Sequence, residues 1–216
     1  RVFLVADNNT YGVAGRDIEH ILTSAGCAIK KLVYYRKGEL VPDERAIGEF
    51  LTSYERDTDV IVTVGSGVLC DISKYMSFML DTPLIMVATA PSMDGYASVV
   101  SAFILKDTKI SLKSLPPKVI IADTDIIREA PMDMIWAGLG DMLGKYSSLR
   151  DWKLANIVVQ EYYCDVVRKM VELSLDRCVE NVELFAKRDE KAIGYLMEGL
   201  ILVGIAMSFV GNSRPA

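Results

Sequence analysis

D-V-I-V-T-V-G-S-G, residues 59–67, places an apolar β-branched run directly before a glycine-rich turn. A nearly continuous run of this kind is typical of a strand that is buried on both faces of a parallel sheet. Glycines at its end allow the backbone to turn tightly into a helix, which is predicted to extend to about residue 80. The segment therefore predicts a strand–turn–helix unit within a parallel α/β domain.

Strand and helix patterns alternate on both sides of this segment. The other predicted strands lie at residues 2–6, 28–34, 84–87 and 119–122, and the other predicted helices at residues 13–24 and 42–55. Two further apolar runs, 99–105 and 109–112, predict a β-hairpin inserted in this alternation.

The pattern changes after Pro131, where strand patterns cease. Helical periodicities fill residues 132–155, 158–187 and 189–210. Strands that alternate with helices and are followed by helices alone predict an α/β fold with two parts. We expect an N-terminal Rossmann-like parallel-sheet domain at 1–128 and an all-helical domain at 129–216, with the C-terminal part of the helical domain missing.

Composition excludes several classes of partner. The 216 residues contain 24 Lys and Arg against 29 Asp and Glu, a formal net charge of -5. Charge-driven binding to nucleic acid or to an anionic membrane needs a surplus of basic residues, so we expect neither. The apolar run 199–210 is shorter than the roughly 20 residues of a spanning helix. It predicts a buried core helix and no membrane insertion.

The four cysteines are widely spaced and form no C-x-x-C pair; they are Cys27, Cys70, Cys164 and Cys178. This spacing indicates neither a zinc cluster nor a disulfide framework. A reducing, cytoplasmic location fits such cysteine usage. His20 is the single histidine and lies on the first predicted helix, where we expect a solvated side chain and not a metal ligand.

The loop after the central strand, Gly65 to Asp71, is a candidate phosphate cradle. Glycines between a strand and a helix let the backbone approach a phosphate, which the first N–H groups of the helix and its dipole then hold. The segment departs from the G-x-G-x-x-G fingerprint because Cys70 stands where the third glycine would be. The alternative interpretation is a tight turn without a ligand.

A second loop, T-A-P-S-M-D-G-Y-A-S at residues 89–98, follows the next predicted strand. It concentrates hydroxyl groups, turn formers and one carboxylate, Asp94. Ligands bind at the carboxyl ends of parallel strands, so two such loops on successive strands favour a shared ligand over the alternative of a plain polar loop.

A third segment, G-L-G-D-M-L-G-K at residues 138–145, opens the helical part. Each glycine weakens a helix by roughly 1 kcal/mol relative to alanine, so helix stability does not explain Gly138, Gly140 and Gly144. Close packing between helices is one interpretation. The other is that small residues clear space around the Asp141 carboxylate.

These motifs, with G-N-S-R-P-A at residues 211–216, resemble the bacterial branch of the sn-glycerol-1-phosphate dehydrogenases. That family lies within the iron-containing alcohol dehydrogenase and dehydroquinate synthase superfamily. Order and spacing agree over essentially the whole chain, and the 89–98 motif is the most specific part. One minor departure is Ser66, which stands where the family usually has a glycine.

The resemblance implies NAD or NADP as the cofactor and assigns its contacts residue by residue. Asp7 matches the acidic residue expected to hold the adenosine ribose hydroxyls. The remaining cofactor-binding residues are Gly65, Ser66, Gly67, Val68, Leu69, Cys70 and Asp71 in the phosphate turn, Thr89, Ala90, Pro91 and Ser92 in the second loop, and Ser98.

The resemblance also implies a substrate and metal site. Asp94 matches a substrate-binding aspartate, and Asp141 matches the catalytic metal ligand, which also touches substrate. Lys145 is the nearest candidate for binding the substrate phosphate. The metal would be zinc, nickel or iron. The family completes its metal site with two histidines, which we expect beyond Ala216.

The implied reaction is reversible hydride transfer between NAD(P)H and dihydroxyacetone phosphate, giving sn-glycerol 1-phosphate for phospholipid metabolism. The implied assembly is a homodimer acting on a small phosphorylated polyol or ketone. Two alternatives stay open. One is a glycerol-dehydrogenase-like or dehydroquinate-synthase-like enzyme of the same superfamily. The other is a non-catalytic nucleotide-binding module, if the chain truly ends at residue 216.

Overall fold

A computed structural model describes residues 1–211 of the chain. Its strands are β1 (Val2–Asp7), β2 (Ile29–Tyr34), β3 (Val60–Gly65), β4 (Leu84–Ala88), β5 (Val100–Leu105), β6 (Thr108–Lys113) and β7 (Val119–Ile121). Its α-helices are α1 (Asn8–Thr10), α2 (Arg16–Ser24), α3 (Glu44–Ser53), α4 (Gly67–Leu80), α5 (Thr124–Ile127), α6 (Met132–Val159), α7 (Asp165–Glu180), α8 (Val182–Phe185) and α9 (Glu190–Val210). A π-helical stretch, Tyr11–Gly15, joins α1 to α2, and Gly95–Ala97 form a short 3-10 helix.

The chain divides into two compact units. The α/β unit contains Arg1–Thr89 and Val100–Ile126, and the helical unit contains Ala90–Val99 and the described residues from Ile127 onward. The predicted fold class, a parallel α/β part followed by a helical part, is confirmed. The segment 90–99 belongs to the helical unit although it lies between β4 and β5 in the sequence.

The main sheet has five strands in the order β2-β1-β3-β4-β7, and all of its pairs are parallel. The chain passes from β1 outward to β2 and then returns to β3 on the other side of β1. This reversal between β1 and β3 is a topological switch point, where open α/β sheets bind ligands. Val5 pairs with Thr63, so Asp7 and Gly65 end their strands at the same edge.

Each face of the sheet carries its own core. Phe3 and Val5 join Phe50 in one buried cluster, and Leu4 and Val62 belong to a second cluster. The alternation of side chains along a strand explains this division, because neighbouring residues point to opposite faces. Strands that are covered on both faces need apolar residues at nearly every position, as the sequence pattern indicates.

One predicted helix is wrong in its extent. The helix expected over 158–187 is interrupted, because α6 continues to Val159 and ends at Gln160, which adopts a left-handed conformation with φ 57. The indole N–H of Trp152 donates to the Tyr162 carbonyl at 2.9 Å, and the Asn156 amide donates to the Glu161 carbonyl at 2.8 Å. These bonds hold the connection against α6. The apolar periodicity continues through the break and therefore hides it.

Helix α9 has a mean hydropathy of 1.9 over its most apolar window and is long enough to cross a membrane by length and composition alone. Half of that window is buried within the protein. Leu200 and Val203 are fully buried, whereas Phe209 near the C-terminal end is 70% exposed. The predicted core helix is thus buried along one side only.

We expect Phe50→Ala to lower the free energy of unfolding by about 3–5 kcal/mol, because it leaves a cavity against the sheet. The Phe50 ring is fully buried and packs edge-on against Phe3, with ring centroids 5.1 Å apart. Leu51→Ala is the matched control, since Leu51 is the next residue on α3 and is 49% exposed. Urea unfolding of both variants measures the difference, and equal losses would contradict the assignment of this core.

Candidate functional site

The turn from β3 into α4 has the geometry of an anion site. Gly65 is buried, and a Cβ there would lie 2.4 Å from the Cδ1 of Leu69. Ser66 precedes the first helical residue but makes no side-chain capping hydrogen bond, and the first turn carries no acidic residue. The first N–H groups of a helix have no intrahelical acceptor, so this end of α4 can accept a phosphate.

The first residue of the second predicted loop lies beside the phosphate turn at the edge of the sheet. The Thr89 N–H donates to the Gly65 carbonyl at 3.0 Å, and Gly65 is paired with Ala88 in the parallel register of β3 and β4. Thr89 thus lies beside the phosphate turn within the α/β unit. The other predicted contacts of this loop, Ala90, Pro91, Ser92 and Ser98, belong to the helical unit.

Asp7 ends β1 next to this edge and has a local role of its own. Its Oδ1 accepts hydrogen bonds from the backbone N–H groups of Asn9 and Thr10, both at 2.8 Å. The Thr10 hydroxyl lies 3.1 Å from the Asp7 backbone nitrogen and completes a capping box. These bonds orient the carboxylate at the switch point. Binding of ribose hydroxyls by Asp7 stays a prediction.

Side chains at the start of α4 face the core. Leu69 and Cys70 are buried, and burial raises the pKa of the Cys70 thiol to about 12. Val68 packs against the core cluster of the α/β unit. The structure therefore leaves mainly the backbone of these three residues for a cofactor.

Within the helical unit, three residues named from sequence converge. The Lys145 ammonium lies 2.5 Å from Asp94 Oδ2 and 3.3 Å from Asp141 Oδ1. The Asp94 backbone N–H also donates to Asp141 Oδ2, at 2.8 Å. Asp141 and Lys145 are one turn apart on α6, whereas Asp94 arrives from the 90–99 segment. The result is a compact cluster of two carboxylates around one ammonium.

The burial of Lys145 requires that the charge of its ammonium be compensated. The Lys145 side chain is only 3% exposed, against 18% for Asp94 and 34% for Asp141. A buried ammonium is stable only when it is paired and hydrogen-bonded, and here two carboxylates compensate it. The observed contacts of Lys145 are its ion pairs with Asp94 and Asp141. Its contact with a substrate phosphate stays a prediction.

Two glycines, one on α6 and one on α9, allow the 90–99 segment to pack closely against these helices. A Cβ at Gly138 would lie 1.9 Å from the Pro91 carbonyl oxygen, and a Cβ at Gly204 would lie 2.7 Å from the Asp94 carbonyl oxygen. Gly138 is thus required by packing, whereas Gly140 and Gly144 face open space. The packing role of Gly204 was not predicted from the sequence, where the available signal was a glycine inside a largely apolar helix.

Hydrogen bonds complete the support of this segment. The Tyr96 hydroxyl, fully buried, donates to the Ala90 carbonyl at 2.7 Å. The Ser208 hydroxyl on α9 donates to the Ala97 carbonyl at 3.0 Å. The loop that carries Asp94 is therefore held at both ends, which fixes its carboxylate beside Lys145.

A complete metal site is not formed by the described residues. Within 1–211, no group of three or more His, Cys, Asp or Glu side chains is placed to hold a metal ion. Asp141 offers one carboxylate, which already accepts from Lys145 and from the Asp94 N–H. This donor set alone does not fit a divalent ion, which takes three or more protein ligands in catalytic sites. His20 is exposed on α2, as predicted.

The G-N-S-R-P-A motif, residues 211–216, lies almost entirely outside the described residues. Only Gly211 is described; it ends α9 in a left-handed conformation with φ 71, a conformation that glycine adopts without strain.

We expect Gly138→Ala to destabilise the protein by roughly 1–3 kcal/mol, because its methyl group would overlap the Pro91 backbone carbonyl and one of the two segments would have to shift. Gly140→Ala is the matched control on the same helix. With open space around it, the alanine should stabilise the helix by up to about 1 kcal/mol. Thermal unfolding measures both changes, and a stabilised Gly138→Ala variant would contradict the close approach of Pro91.

Comparison with known proteins gives the family. A family model described as iron-containing alcohol dehydrogenase matches residues 1–131. Glycerol-1-phosphate dehydrogenase (NAD(P)+) of Bacillus subtilis (strain 168) is 37% identical over 217 residues, covering 100% of this chain and 55% of the relative. The protein of the same name from Halalkalibacterium halodurans is 36% identical, covering 100% of this chain and 54% of the relative.

Solved structures agree on the fold. Glycerol dehydrogenase from Schizosaccharomyces pombe has a TM-score of 0.80 at 21% identity, covering 95% of this chain and 54% of its own. An iron-containing alcohol dehydrogenase from Thermococcus thioreducens has a TM-score of 0.79 at 20% identity, covering 99% and 61%. The chain spans about half the length of the curated relatives it matches. The family resemblance seen in the motifs is confirmed: this chain belongs to the iron-containing alcohol dehydrogenases.

Proposed function

We propose that the protein catalyses reversible hydride transfer between NAD(P)H and dihydroxyacetone phosphate, producing sn-glycerol 1-phosphate. The observation that carries this proposal is the cluster of Asp94 and Asp141 around the buried Lys145 ammonium. It joins the 89–98 motif, the most specific part of the resemblance, with the 138–145 motif, and the curated relatives are named glycerol-1-phosphate dehydrogenases.

The cofactor would bind at the carboxyl edge of the sheet. NAD(P)H, when bound, supplies the hydride that reduces the ketone, with one proton taken up. The N-terminus of α4 would hold the pyrophosphate through backbone N–H groups of the 65–71 turn, beside Thr89. Asp7, at the switch point between β1 and β3, would receive the adenosine ribose. Ala90, Pro91, Ser92 and Ser98 complete the proposed cofactor contacts.

The substrate would bind at the aspartate–lysine cluster. A carboxylate such as Asp94 can accept hydrogen bonds from a substrate hydroxyl, and hydrogen bonds to charged groups contribute about 1.5–3 kcal/mol. Lys145 orients both carboxylates, since its ammonium contacts each of them. The same ammonium is our candidate for the substrate phosphate.

We propose three further features, of which the metal, the metabolic role and the assembly follow from the family resemblance. Activity would require a divalent metal, zinc, nickel or iron, with Asp141 as one ligand and the others outside the described residues. The enzyme would work in the cytoplasm, without membrane insertion, in phospholipid metabolism. It would assemble as a homodimer.

A direct assay of the intact, metal-reconstituted protein tests the activity. NADH and NADPH oxidation would be followed with dihydroxyacetone phosphate, and NAD+ reduction with glycerol 1-phosphate and with glycerol. We expect turnover with the phosphorylated pair. Turnover with glycerol alone would indicate a glycerol dehydrogenase. Phosphate release from a heptulosonate phosphate without net redox change would indicate a dehydroquinate-synthase-like lyase, and cofactor binding without turnover would indicate a nucleotide-binding module.

We expect Asp141→Asn to abolish reduction of dihydroxyacetone phosphate while leaving NADH binding nearly unchanged, because Asp141 is a predicted metal and substrate ligand and is not among the predicted cofactor contacts. Steady-state kinetics and a fluorescence titration of NADH measure the two effects. Asp133→Asn is the control, since Asp133 is exposed in the first turn of the same helix. Retained turnover in Asp141→Asn would refute its catalytic role.

We expect Asp94→Ala to raise the KM for dihydroxyacetone phosphate about 10- to 100-fold, which corresponds to the loss of a hydrogen bond to a charged group. The KM for NADH should change far less. The variant also leaves Lys145 with a single carboxylate, so its unfolding midpoint must be measured in parallel. An unchanged KM for the phosphorylated substrate in a folded variant would remove Asp94 from the substrate site.

A further inference from the structure

Helix α4 carries a buried lysine, Lys74, about one helical turn after the 65–71 segment. The Lys74 side chain is 0% exposed, and its ammonium lies 3.4 Å from Asp71 Oδ1. The same ammonium donates to the Val100 carbonyl at 2.7 Å. Sequence analysis assigned no role to Lys74, and its position on α4 is one that an apolar residue would normally fill.

The Asp71 carboxylate is held from several sides. Its side chain is 17% exposed. Besides Lys74, the backbone of Ala102 and the Ser101 hydroxyl form hydrogen bonds with it. Burial raises the pKa of the Asp71 carboxyl, and these partners oppose that rise. All of these residues belong to the α/β unit.

The contacts connect the start of α4 with the β5–β6 hairpin. Val100, Ser101 and Ala102 form the first half of β5, which pairs antiparallel with Lys113, Leu112 and Ser111 of β6. The Ser101 hydroxyl oxygen also lies 3.1 Å from the Ser114 hydroxyl oxygen, within hydrogen-bond distance. The hairpin is therefore fastened to α4 by a buried polar network and not by apolar packing alone.

Energetics suggest why a charge pair occupies this place. Transferring an ammonium and a carboxylate into the interior costs several kcal/mol for each ion, and apolar residues of similar volume are often as stable or more stable. Stability alone does not favour Asp71 and Lys74 here. An orienting function favours them, because an ion pair with several hydrogen bonds fixes both the distance between the joined groups and their relative direction.

We propose that Lys74 is a positioning residue for the dinucleotide site: it holds the Asp71 carboxylate against β5 and so presents the 67–71 turn of α4 to the NAD(P) cofactor. This inference rests on the proposed cofactor function of that turn. Lys74 acts through Asp71 and the backbone and needs no contact with the cofactor itself.

Paired variants of the intact protein test the inference. Lys74→Met should weaken NADH binding at least about tenfold in a fluorescence titration and should lower the urea midpoint, because it leaves the Asp71 carboxylate buried without its cation. In the double variant Asp71→Asn/Lys74→Met no buried charge is left unpaired, so the midpoint should recover while NADH binding stays weak. Recovery of both together would show a purely structural role and would overturn the proposal.

A second measurement does not depend on cofactor binding or on the folding of the apolar variants. Lys74→Gln keeps a donor for the Val100 carbonyl but loses the charge. Without cofactor, it should speed amide hydrogen exchange in the 67–71 turn and in β5 relative to wild type. Unchanged exchange at these amides would overturn the positioning role. If the wild-type protein bound no NADH, the proposed function would be refuted. The hydrogen-exchange measurement would still test the positioning role of Lys74.

Lys31→Met is the matched control. Lys31 also pairs with a carboxylate in the α/β unit, that of Glu19, but its side chain is 45% exposed. Exposed pairs contribute at most about 1 kcal/mol, so NADH affinity, the urea midpoint and exchange in the 67–71 turn should all match wild type. A tenfold loss of NADH affinity in this variant would show that any lysine in the unit has the same effect, which would overturn the specific role of Lys74.

Discussion

Burial of β3 on both faces is the constraint on which the α/β unit depends. The strand lies between β1 and β4, so its apolar side chains must fill two cores at once. Once β3 is central, its carboxyl end, Gly65, is forced to the edge where β1 ends and where Thr89 begins the next loop. The position of the phosphate turn thus follows from the packing of the strand before it.

Among residues 1–211, each unit contains one buried lysine that pairs with an aspartate of its own helix. Lys74 pairs with Asp71 three residues earlier on α4, and Lys145 pairs with Asp141 four residues earlier on α6. In both places a second segment supplies another acceptor: the Val100 carbonyl for Lys74 and the Asp94 carboxylate for Lys145. In each cluster, helical spacing brings the lysine next to the aspartate of its own helix, and a tertiary contact supplies the second acceptor.

Several features of the site were within reach of sequence reasoning, and others were not. Gly65 and Asp141 stood out because glycine-rich turns and glycines within a helix contradict local propensity. Lys74 was not singled out because a single lysine on an amphipathic helix is usually solvated, and Gly204 was not singled out because it is one of three dispersed glycines in α9 that form no compact motif. The break after Val159 was hidden because apolar residues continue on both sides of it.

Local patterns in the chain were enough to establish a parallel α/β part around residues 59–67 and a helical part after Pro131, because strand and helix periodicities arise from neighbouring residues. The tertiary structure alone decided that Asp94 meets Lys145 and Asp141, which lie 51 and 47 residues away along the chain. It also decided that residues 90–99 join the helical unit. These contacts require glycines where a backbone carbonyl packs closely against a helix, and they require a partner for each buried charge. Both requirements involve residues that are distant in sequence, so a local pattern does not reveal them.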